Sequence, residues 1–345
     1  MICCESKERL TLHGLNAHQH KGSYLWRRSR DPAPFTLFLN DSYTTLATTR
    51  LVQSLKVSLV IPAFGRMASL RAVLQSSLHS ASDMEVILVD DKSPEGSSIL
   101  KLAREYGAAY IRNESKAMES QRALCCNLGF EMSTGEVIVF NDADTLLAAN
   151  ALESHVRYHV QVPNAAVCSQ FWSIAYNKTA LDALKEPDVN ALRTLGHSLI
   201  HDADLSWSET SDPHPSSNWW AFLGGQSSFN RRDFERVGRW DEKYTGWGVE
   251  DNDLGYRIYK GGMQILYASD IRAFHIDHPM THEDYAQKCR TALRNLKYMC
   301  KKYPEIEKEE RVTQRLKELE TLSESELKNV TRQGTAGGGP ISDFA

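Results

Sequence analysis

Apolar residues in the first half of the chain cluster in short runs separated by stretches of helical spacing. Four apolar runs predict buried strands, at residues 57–61, 85–89, 108–112 and 136–140. Between them, apolar residues recur three or four positions apart and predict helices, at about residues 70–78, 97–106 and 117–132. Because strands that alternate with helices form parallel sheets covered on both faces, the pattern predicts an α/β fold.

The same pattern continues beyond residue 150 with longer intervals. Further strands are predicted at residues 165–174, 221–229, 263–268 and 271–275. Two more helices are predicted at about residues 283–303 and 305–330. Residues 178–217 are polar and contain prolines, so they predict an insertion. Residues 1–55 predict no function, and residues 331–345 predict a disordered tail.

Composition narrows the classes of function. The net charge of -4 over 345 residues argues against nucleic-acid binding. Seven cysteines without a CxxC spacing indicate reduced thiols and a cytoplasmic location. The chain has no run of 18 apolar residues, so no transmembrane segment is predicted. Six Lys or Arg residues and no acid lie between Tyr285 and Pro304, which predicts weak peripheral membrane contact or, alternatively, a solvated helix face.

Carboxylates and turn residues follow the predicted strands. The carboxyl ends of parallel strands, where ligands bind, fall at residues 62–66, at Asp91 and at Asp142 with Asp144. In an extended segment Asp142 and Asp144 face the same way, and paired carboxylates suit Mg²⁺ or Mn²⁺. The alternative is a loop that caps a helix at residues 145–155. Neither GxGxxG nor a P-loop is present, which argues against nicotinamide or flavin cofactors and against a P-loop NTPase.

Residues 246–257 combine a glycine-tryptophan turn with a helix that begins with acids. Helical spacing puts Glu250 and Asp251 on the apolar side and pairs Asp253 with Arg257 at the surface. Because a helix N-terminus holds acids ionised, the two inward acids predict a catalytic base. Simple capping of the helix is the alternative.

Histidines near the end of the strand at 271–275 offer a further metal ligand. His275 and Asp277 share a face of the extended segment, so a third ligand is predicted here. A single structural histidine is the alternative.

Several of these segments resemble family 2 glycosyltransferases of the GT-A fold. The early motifs are residues 57–66, 89–93, 121–123, 127–129 and 140–144. Later motifs are similar to bacterial chondroitin-polymerase-like enzymes and to the C-terminal part of animal β-galactosyltransferases, at residues 224–225, 237–242 and 246–257. The resemblance covers about residues 55–280, with the motifs in the family's order.

The resemblance implies an inverting, metal-dependent transfer of a hexose or N-acetylhexosamine from a UDP-sugar. The acceptor hydroxyl would belong to a saccharide, a peptide or a small molecule. Nucleotide-sugar binding is implied for Pro62, Ala63, Phe64, Arg66, Asp91, Arg122 and Asp142. Mn²⁺ or Mg²⁺ would be bound by Asp144, Asp142 and His275. Asp251 would be the base, with Glu250 holding a hydroxyl of the acceptor or donor.

The acceptor side is predicted from three tryptophans that flank Gly224, Gly225 and the turn at residues 246–249. The acceptor-binding residues would be Trp219, Trp220, Gly224, Gly225 and Trp247. The tryptophans could stack against a sugar ring, although buried core aromatics are the alternative. The implied domain spans residues 56–280, with a nucleotide half (56–150) and an acceptor half (151–280), followed by C-terminal helices at 281–330.

Two positions depart from the family pattern, and two other functions compete. Val249 stands where the family often has glycine, and residues 275–279 only approximate its His-x-Glu-Pro-Pro ending, so His278 is a rival metal ligand. A sugar nucleotidyltransferase is the first alternative, but it usually has a glycine-rich basic loop after the first strand, which this chain lacks. The second is a catalytically silent carbohydrate-binding module on the same fold.

Overall fold

The computed structural model describes residues 55–78, 83–174, 214–216, 218–278 and 280–330. The strands are β1 (Val57–Ala63), β2 (Met84–Asp90), β3 (Ala109–Arg112), β4 (Val137–Asn141), β5 (Thr145–Leu147), β6 (Ala165–Ile174), β7 (His214–Ser216), β8 (Gln226–Asn230) and β9 (Gln264–Ile276). The α-helices are α1 (Met67–Ser77), α2 (Gly96–Glu105), α3 (Arg122–Met132), α4 (Ala151–Gln161), α5 (Arg231–Arg236), α6 (Glu250–Lys260), α7 (His282–Lys302) and α8 (Glu310–Val330). Predictions for residues 1–54, 175–213 and 331–345 lie outside the described residues.

The first half of the sheet is parallel, as the alternation of strands and helices predicts. β1 lies between β2 and β4, and Val60 pairs with both Ile87 and Phe140. β3 extends the sheet on the far side of β2. Helix α1 covers one face and α3 the other. The α/β fold class is therefore confirmed, and the predicted ends of β1, β2 and β4 are one or two residues short.

The second half of the sheet mixes strand directions. Within the described residues the strand order is β3-β2-β1-β4-β8-β6-β9-β5, and β7 pairs with β9. β8 runs antiparallel to β4 and β6, whereas β6 and β9 are parallel. The predicted strands at 263–268 and 271–275 are one continuous strand, β9.

The structure of residues 145–147 excludes the alternative in which Asp142 and Asp144 cap a helix. They form β5, which pairs antiparallel with β9 and is fully buried, and the next helix begins only at Ala151. A helix at 145–155 capped by the preceding acids is therefore wrong. The backbone N–H of Thr145 donates to the carbonyl of Asp142 at 3.1 Å, so a turn separates β4 from β5.

The aromatic core packs behind the carboxyl end of β4. Phe140 contacts the rings of Phe229, Phe234 and Trp240 edge-on or tilted, with centroids 4.9–6.3 Å apart. Such offset and edge-on contacts stabilise aromatic clusters beyond their buried area. The cluster fixes β4 against β8 and α5, and it holds the loops that leave these strands in place.

The basic helix α7 pairs many of its charges with acids from other elements. Arg294 contacts Glu119, Lys297 contacts Glu320, and Lys302 contacts Asp241, each within 2.8 Å. Among the described residues, no helix has both the length and the apolar character needed to cross a membrane. Peripheral membrane contact through α7 stays a prediction.

Asp253 lies at the centre of a buried polar cluster that joins α6 to α7. Its carboxylate, which is 0% exposed, accepts hydrogen bonds from Arg257 Nε at 2.7 Å and Lys302 Nζ at 2.7 Å. The Tyr244 hydroxyl donates to it at 3.1 Å. The pair with Arg257 exists, but the prediction that it lies at the surface is wrong. The cluster anchors the helix that carries Glu250 and Asp251.

Replacing Asp253 by Asn is expected to destabilise the protein by about 3–5 kcal/mol, because two partly buried cations lose their shared anion. Chemical unfolding of the purified variant measures this loss. The matched control is Glu318→Gln, which removes the exposed pair with Arg315 and should cost less than about 1 kcal/mol. Equal losses in both variants would contradict a structural role for the buried cluster.

Candidate active site

The acids predicted for the site converge at the carboxyl ends of β1, β2 and β4. The loop after β4 is tied to the loop before β8, because the Asp142 N–H donates to the Gly225 carbonyl at 2.8 Å. The N-terminus of α6, with Glu250 and Asp251, reaches the same place through Arg122. Segments distant in sequence thus form one charged cleft.

Asp91 is held rigidly on the side of the cleft predicted to bind a nucleotide. Its buried carboxylate accepts hydrogen bonds from Asn113 Nδ2 at 2.8 Å, Ser120 Oγ at 3.0 Å and the Gln121 N–H at 2.7 Å. Lys92 Nζ lies 2.8 Å away. Burial alone would raise the pKa of Asp91, but these donors outweigh it and lower the pKa. The site therefore keeps an ionised, oriented acceptor here.

The end of β1 and the residue after it lie beside Asp91 and offer one accessible ring. Pro62 is half-buried and Ala63 is buried, whereas Phe64 is 57% exposed. The Ala63 carbonyl accepts from the Asp91 N–H at 2.8 Å. A planar ligand could therefore contact Phe64 without disturbing the strand.

Arg66 precedes α1 in the left-handed region, with φ 52°, and its guanidinium forms an ion pair with Asp144. Non-glycine residues in this region carry backbone strain, which often marks functional segments. The pair places a cation directly beside the candidate metal ligand.

Two predicted metal ligands and the rival ligand His278 lie together at this end of the cleft. Asp144, His275 and His278 each offer a ligand atom, all within 4.8 Å of one another. His275 Nδ1 lies 3.2 Å from Asp277, which leaves Nε2 facing Asp144 at 3.8 Å. A histidine oriented by a second carboxylate is typical of metal sites, and a mixed carboxylate and imidazole set suits Mn²⁺.

The cluster includes both His275 and His278, so both stay predicted metal ligands. Burial would lower the pKa of His275, but the Asp277 hydrogen bond and the charge of Asp144 raise it. Burial and the charge of Arg66 lower the pKa of His278, which favours its neutral form. Asp142, the third predicted ligand, is not in this cluster within the described residues and faces Arg122 instead.

Arg122 connects the two groups of acids. Its Nε donates to Asp142 at 2.9 Å, and its NH1 lies 3.4 Å from Asp251 and 4.0 Å from Glu250. The guanidinium also stacks over the Trp240 ring, 5.0 Å from its centroid. Arg122 was predicted to lie near the nucleotide. The structure places it between Asp142, the first acid of the Asp142-Ala143-Asp144 motif (D-x-D), and the candidate base Asp251.

Glycines 224 and 225 make room for the acids. A Cβ on Gly224 would lie 2.3 Å from Asp251 Oδ1, and one on Gly225 would lie 2.8 Å from Asp142 Oδ2. The Gly224 N–H also donates to Asp251. Both glycines, predicted to contact the acceptor, thus allow carboxylates to approach the backbone closely.

The prediction that the N-terminus of α6 keeps Glu250 and Asp251 ionised needs correction. Burial and the neighbouring Asp251 charge raise the pKa of Glu250 to about 7, against the opposing charge of Arg122. Burial also raises the pKa of Asp251, although Arg122 opposes that shift. The helix N-terminus does not dominate, because desolvation of two adjacent carboxyl groups outweighs it. Two adjacent acids whose pKa values are raised by burial are typical of acid–base sites.

Replacing Glu250 by Gln is expected to change how stability depends on pH. Between about pH 4.5 and pH 7 folded Glu250 holds a proton that the unfolded chain has lost, so rising pH destabilises the wild type. The variant has no carboxyl group to titrate, so its free energy of unfolding does not fall in this way. At pH 8 the variant should be more stable than wild type by about 2–3 kcal/mol, and near pH 4 the two should have similar stability. Urea unfolding at both pH values measures it. The exposed Glu153→Gln control should show no such trend, and a wild type with flat pH dependence would contradict the raised pKa.

The tryptophans predicted to bind the acceptor have different environments. Trp219 is 4% exposed and packs edge-on against Trp220 and Tyr256, so it belongs to the core and offers no face to a sugar. Trp220 is half-buried, and its carbonyl accepts from Asn252 Nδ2 at 2.6 Å. Trp247 lies in the glycine-tryptophan turn before α6 and is 45% exposed. Its ring is the accessible one of the three.

Other residues of the site were missed by sequence reasoning. Trp240 lies under Arg122 and would contact a Cβ at Gly224, but only its membership of the resembling motif pointed to it. Asn141 ties the D-x-D turn together by donating to the carbonyls of Asp142 and Thr145, each at 2.8 Å. Gln226 Nε2 donates to Asn141 Oδ1 at 2.7 Å. No periodic pattern marks these long-range contacts.

Family models match most of the described region. Residues 58–211 match the model of glycosyl transferase family 2. Residues 207–279 match a model described as the N-terminal domain of galactosyltransferase. The two matches meet between the Asp142-Ala143-Asp144 motif and the turn before α6. Each match therefore covers part of the candidate site.

Individual relatives are distant. The uncharacterized glycosyltransferase YfnE of Bacillus subtilis is 25% identical over 289 residues, which are 73% of this chain and 71% of that protein. Chondroitin synthase of Escherichia coli is 26% identical over 247 residues, which are 65% of this chain but 35% of that protein. The crystal structure of GalNAc-T7 with UDP, GalNAc and Mn²⁺ has a TM-score of 0.48 at 18% identity, covering 69% of this chain and 47% of that one.

Proposed function

We propose that the chain, whose residues 58–211 match glycosyl transferase family 2, is a glycosyltransferase that moves a hexose or N-acetylhexosamine from a UDP-sugar to an acceptor hydroxyl with inversion. One observation carries the proposal. The Asp144, His275 and His278 cluster and the Glu250–Asp251 acids lie in one cleft, connected through Asp142 and Arg122. A leaving-group site and a base site therefore face the same space.

Asp251 is proposed as the base that removes the proton from the acceptor hydroxyl. Burial raises the pKa of Asp251, which makes its carboxylate a stronger base, and the Arg122 charge still favours its ionised form. Glu250, with a pKa of about 7, can donate or accept a hydrogen bond to a sugar hydroxyl. A single displacement needs no nucleophilic side chain on the protein.

Asp144, His275 and His278 are proposed to hold Mn²⁺ or Mg²⁺, whose chemistry would be to neutralise charge that develops on the diphosphate. Arg66 lies against Asp144 from the β1 side. Asp91 would accept hydrogen bonds from the uracil, and Phe64 would offer it an apolar surface. Arg122 keeps Asp142 and Asp251 in fixed positions.

The acceptor is proposed to bind beside Trp247, whose exposed ring can stack against a sugar. The acceptor is a saccharide, a peptide or a small molecule. A cytoplasmic location fits the free cysteines at positions 125, 126, 168, 289 and 300.

A donor panel tests the function. The purified protein is incubated with Mn²⁺ and UDP-glucose, UDP-galactose or their N-acetylated forms, and released UDP is measured with and without simple sugar acceptors. UDP release from at least one donor is expected. UDP binding without release from any donor would favour the silent carbohydrate-binding module. Pyrophosphate release from UTP and a sugar phosphate would favour the nucleotidyltransferase.

A further inference from the structure

Helix α7 lies beyond the segments that match the family models, yet it contacts the active site. Asn295 Nδ2 donates to the Gly248 carbonyl at 2.8 Å, and Thr291 Oγ1 accepts from the Trp247 N–H at 3.1 Å. A Cβ on Gly246 would lie 2.6 Å from Thr291. The helix and the turn before the candidate base therefore form one rigid unit.

Lys288 lies on the same face of α7, one turn before Thr291. Its ammonium stands over the Trp247 ring, 5.2 Å from the centroid, and the residue is half-buried. Arg294, Lys297 and Lys302 of this helix each form an ion pair, whereas Lys288 forms none with the described residues. Burying a cation without an anion is costly, so such a lysine calls for a ligand.

The charges around Lys288 identify the chemistry of that ligand. Burial and the positive charge of Arg66 lower the pKa of Lys288, while the negative charge of Asp144 opposes this. The charges of Arg66 and Lys288 both act on Asp144, at the end of the cleft that also holds His275 and His278, although only Arg66 forms an ion pair with it. Two basic side chains beside the candidate metal ligands suit an anion with more than one negative charge.

We propose that Lys288 binds the diphosphate of the UDP-sugar and stabilises UDP as it departs, an inference that rests on the function proposed above. Lys288 would approach from α7, opposite Arg66, so the diphosphate is held from both sides. Because Trp247 stacks on the same ammonium, the acceptor-side ring would be positioned by the same contact.

Binding of UDP and UMP with Mn²⁺ tests the role of Lys288 by isothermal titration calorimetry. Lys288→Met, which keeps an apolar chain against Trp247, should weaken UDP binding about tenfold and UMP binding by less than about threefold. Lys288→Arg should stay within about threefold of wild type for UDP. Lys301→Met, an exposed lysine near the end of α7, is the matched control and should leave both affinities unchanged. Lys288→Gln replaces the Met variant if that one does not fold.

The outcomes separate the two proposals. A wild type that binds no UDP with Mn²⁺ overturns the proposed function and the role of Lys288 with it. A wild type that binds UDP, together with a Lys288→Met variant that binds it equally well, overturns only the role of Lys288. An equal loss of UDP and UMP affinity would show that Lys288 merely positions the Trp247 turn, which also overturns a diphosphate contact.

Discussion

Replacing Asp251 by Asn is expected to lower the rate of sugar transfer by about 10²–10⁴-fold while leaving UDP affinity within about twofold of wild type. The amide keeps the shape of the side chain and can still contact the Gly224 N–H, but it cannot accept the hydroxyl proton. UDP binding should survive because the diphosphate would lie at Asp144, which pairs with Arg66, whereas Asp251 contacts Arg122. Initial rates with a donor from the panel, together with titration of UDP, measure both quantities.

The matched comparison is Glu250→Gln, the adjacent acid in the same turn of α6. If Asp251 is the base, the Glu250 variant keeps more of the rate and loses mainly affinity for the sugar or acceptor. Near-normal turnover by Asp251→Asn would exclude Asp251 as the base, and a far larger loss in the Glu250 variant would transfer that role to Glu250. The pH dependence of kcat/KM should also lose its deprotonation limb in Asp251→Asn.

Continuous apolar runs made the parallel half of the sheet predictable. Strands buried on both faces, such as β1 and β2, show no regular alternation of apolar and polar residues, so their existence and order follow from the sequence. β9 was divided in two because the exposed Asp270 interrupts its apolar pattern, although pairing with β6 continues past it after a register shift. Strand direction in the second half depends on pairing between distant segments, which periodicity does not encode.

The residues of the candidate site could be predicted from the sequence, but their contacts with one another could not. Asp142 and Asp144 were assigned one face because an extended chain has a period of two. β4 ends at Asn141, however, and the following turn sends Asp142 to Arg122 and Asp144 to His275. Helical spacing likewise could not show that Lys302, from another helix, draws Asp253 into the interior. Local periodicity identifies candidate residues, whereas long-range contacts decide their partners.

Replacing Asp144 by Ala is expected to remove the dependence of UDP binding on Mn²⁺. Asp144 supplies the carboxylate of the Asp144, His275 and His278 cluster, and hard divalent cations prefer oxygen ligands. In wild type, adding Mn²⁺ should strengthen UDP binding by at least about tenfold, whereas the variant should respond little. Without metal, the variant should bind UDP as well as wild type or better, because Arg66 is released from its ion pair and a negative charge is gone.

Single replacements of the two histidines refine the same experiment. If both are ligands, His275→Ala and His278→Ala should each weaken Mn²⁺ binding, measured directly by displacement of a metal indicator. Asp277→Asn should have a smaller effect, because Asp277 orients His275 through Nδ1 and lies outside the three-residue cluster. A wild type whose UDP affinity is the same with and without Mn²⁺ would reject the metal site. Transfer would then have to depend on Arg66 and the other cations beside Asp144 to stabilise the departing diphosphate.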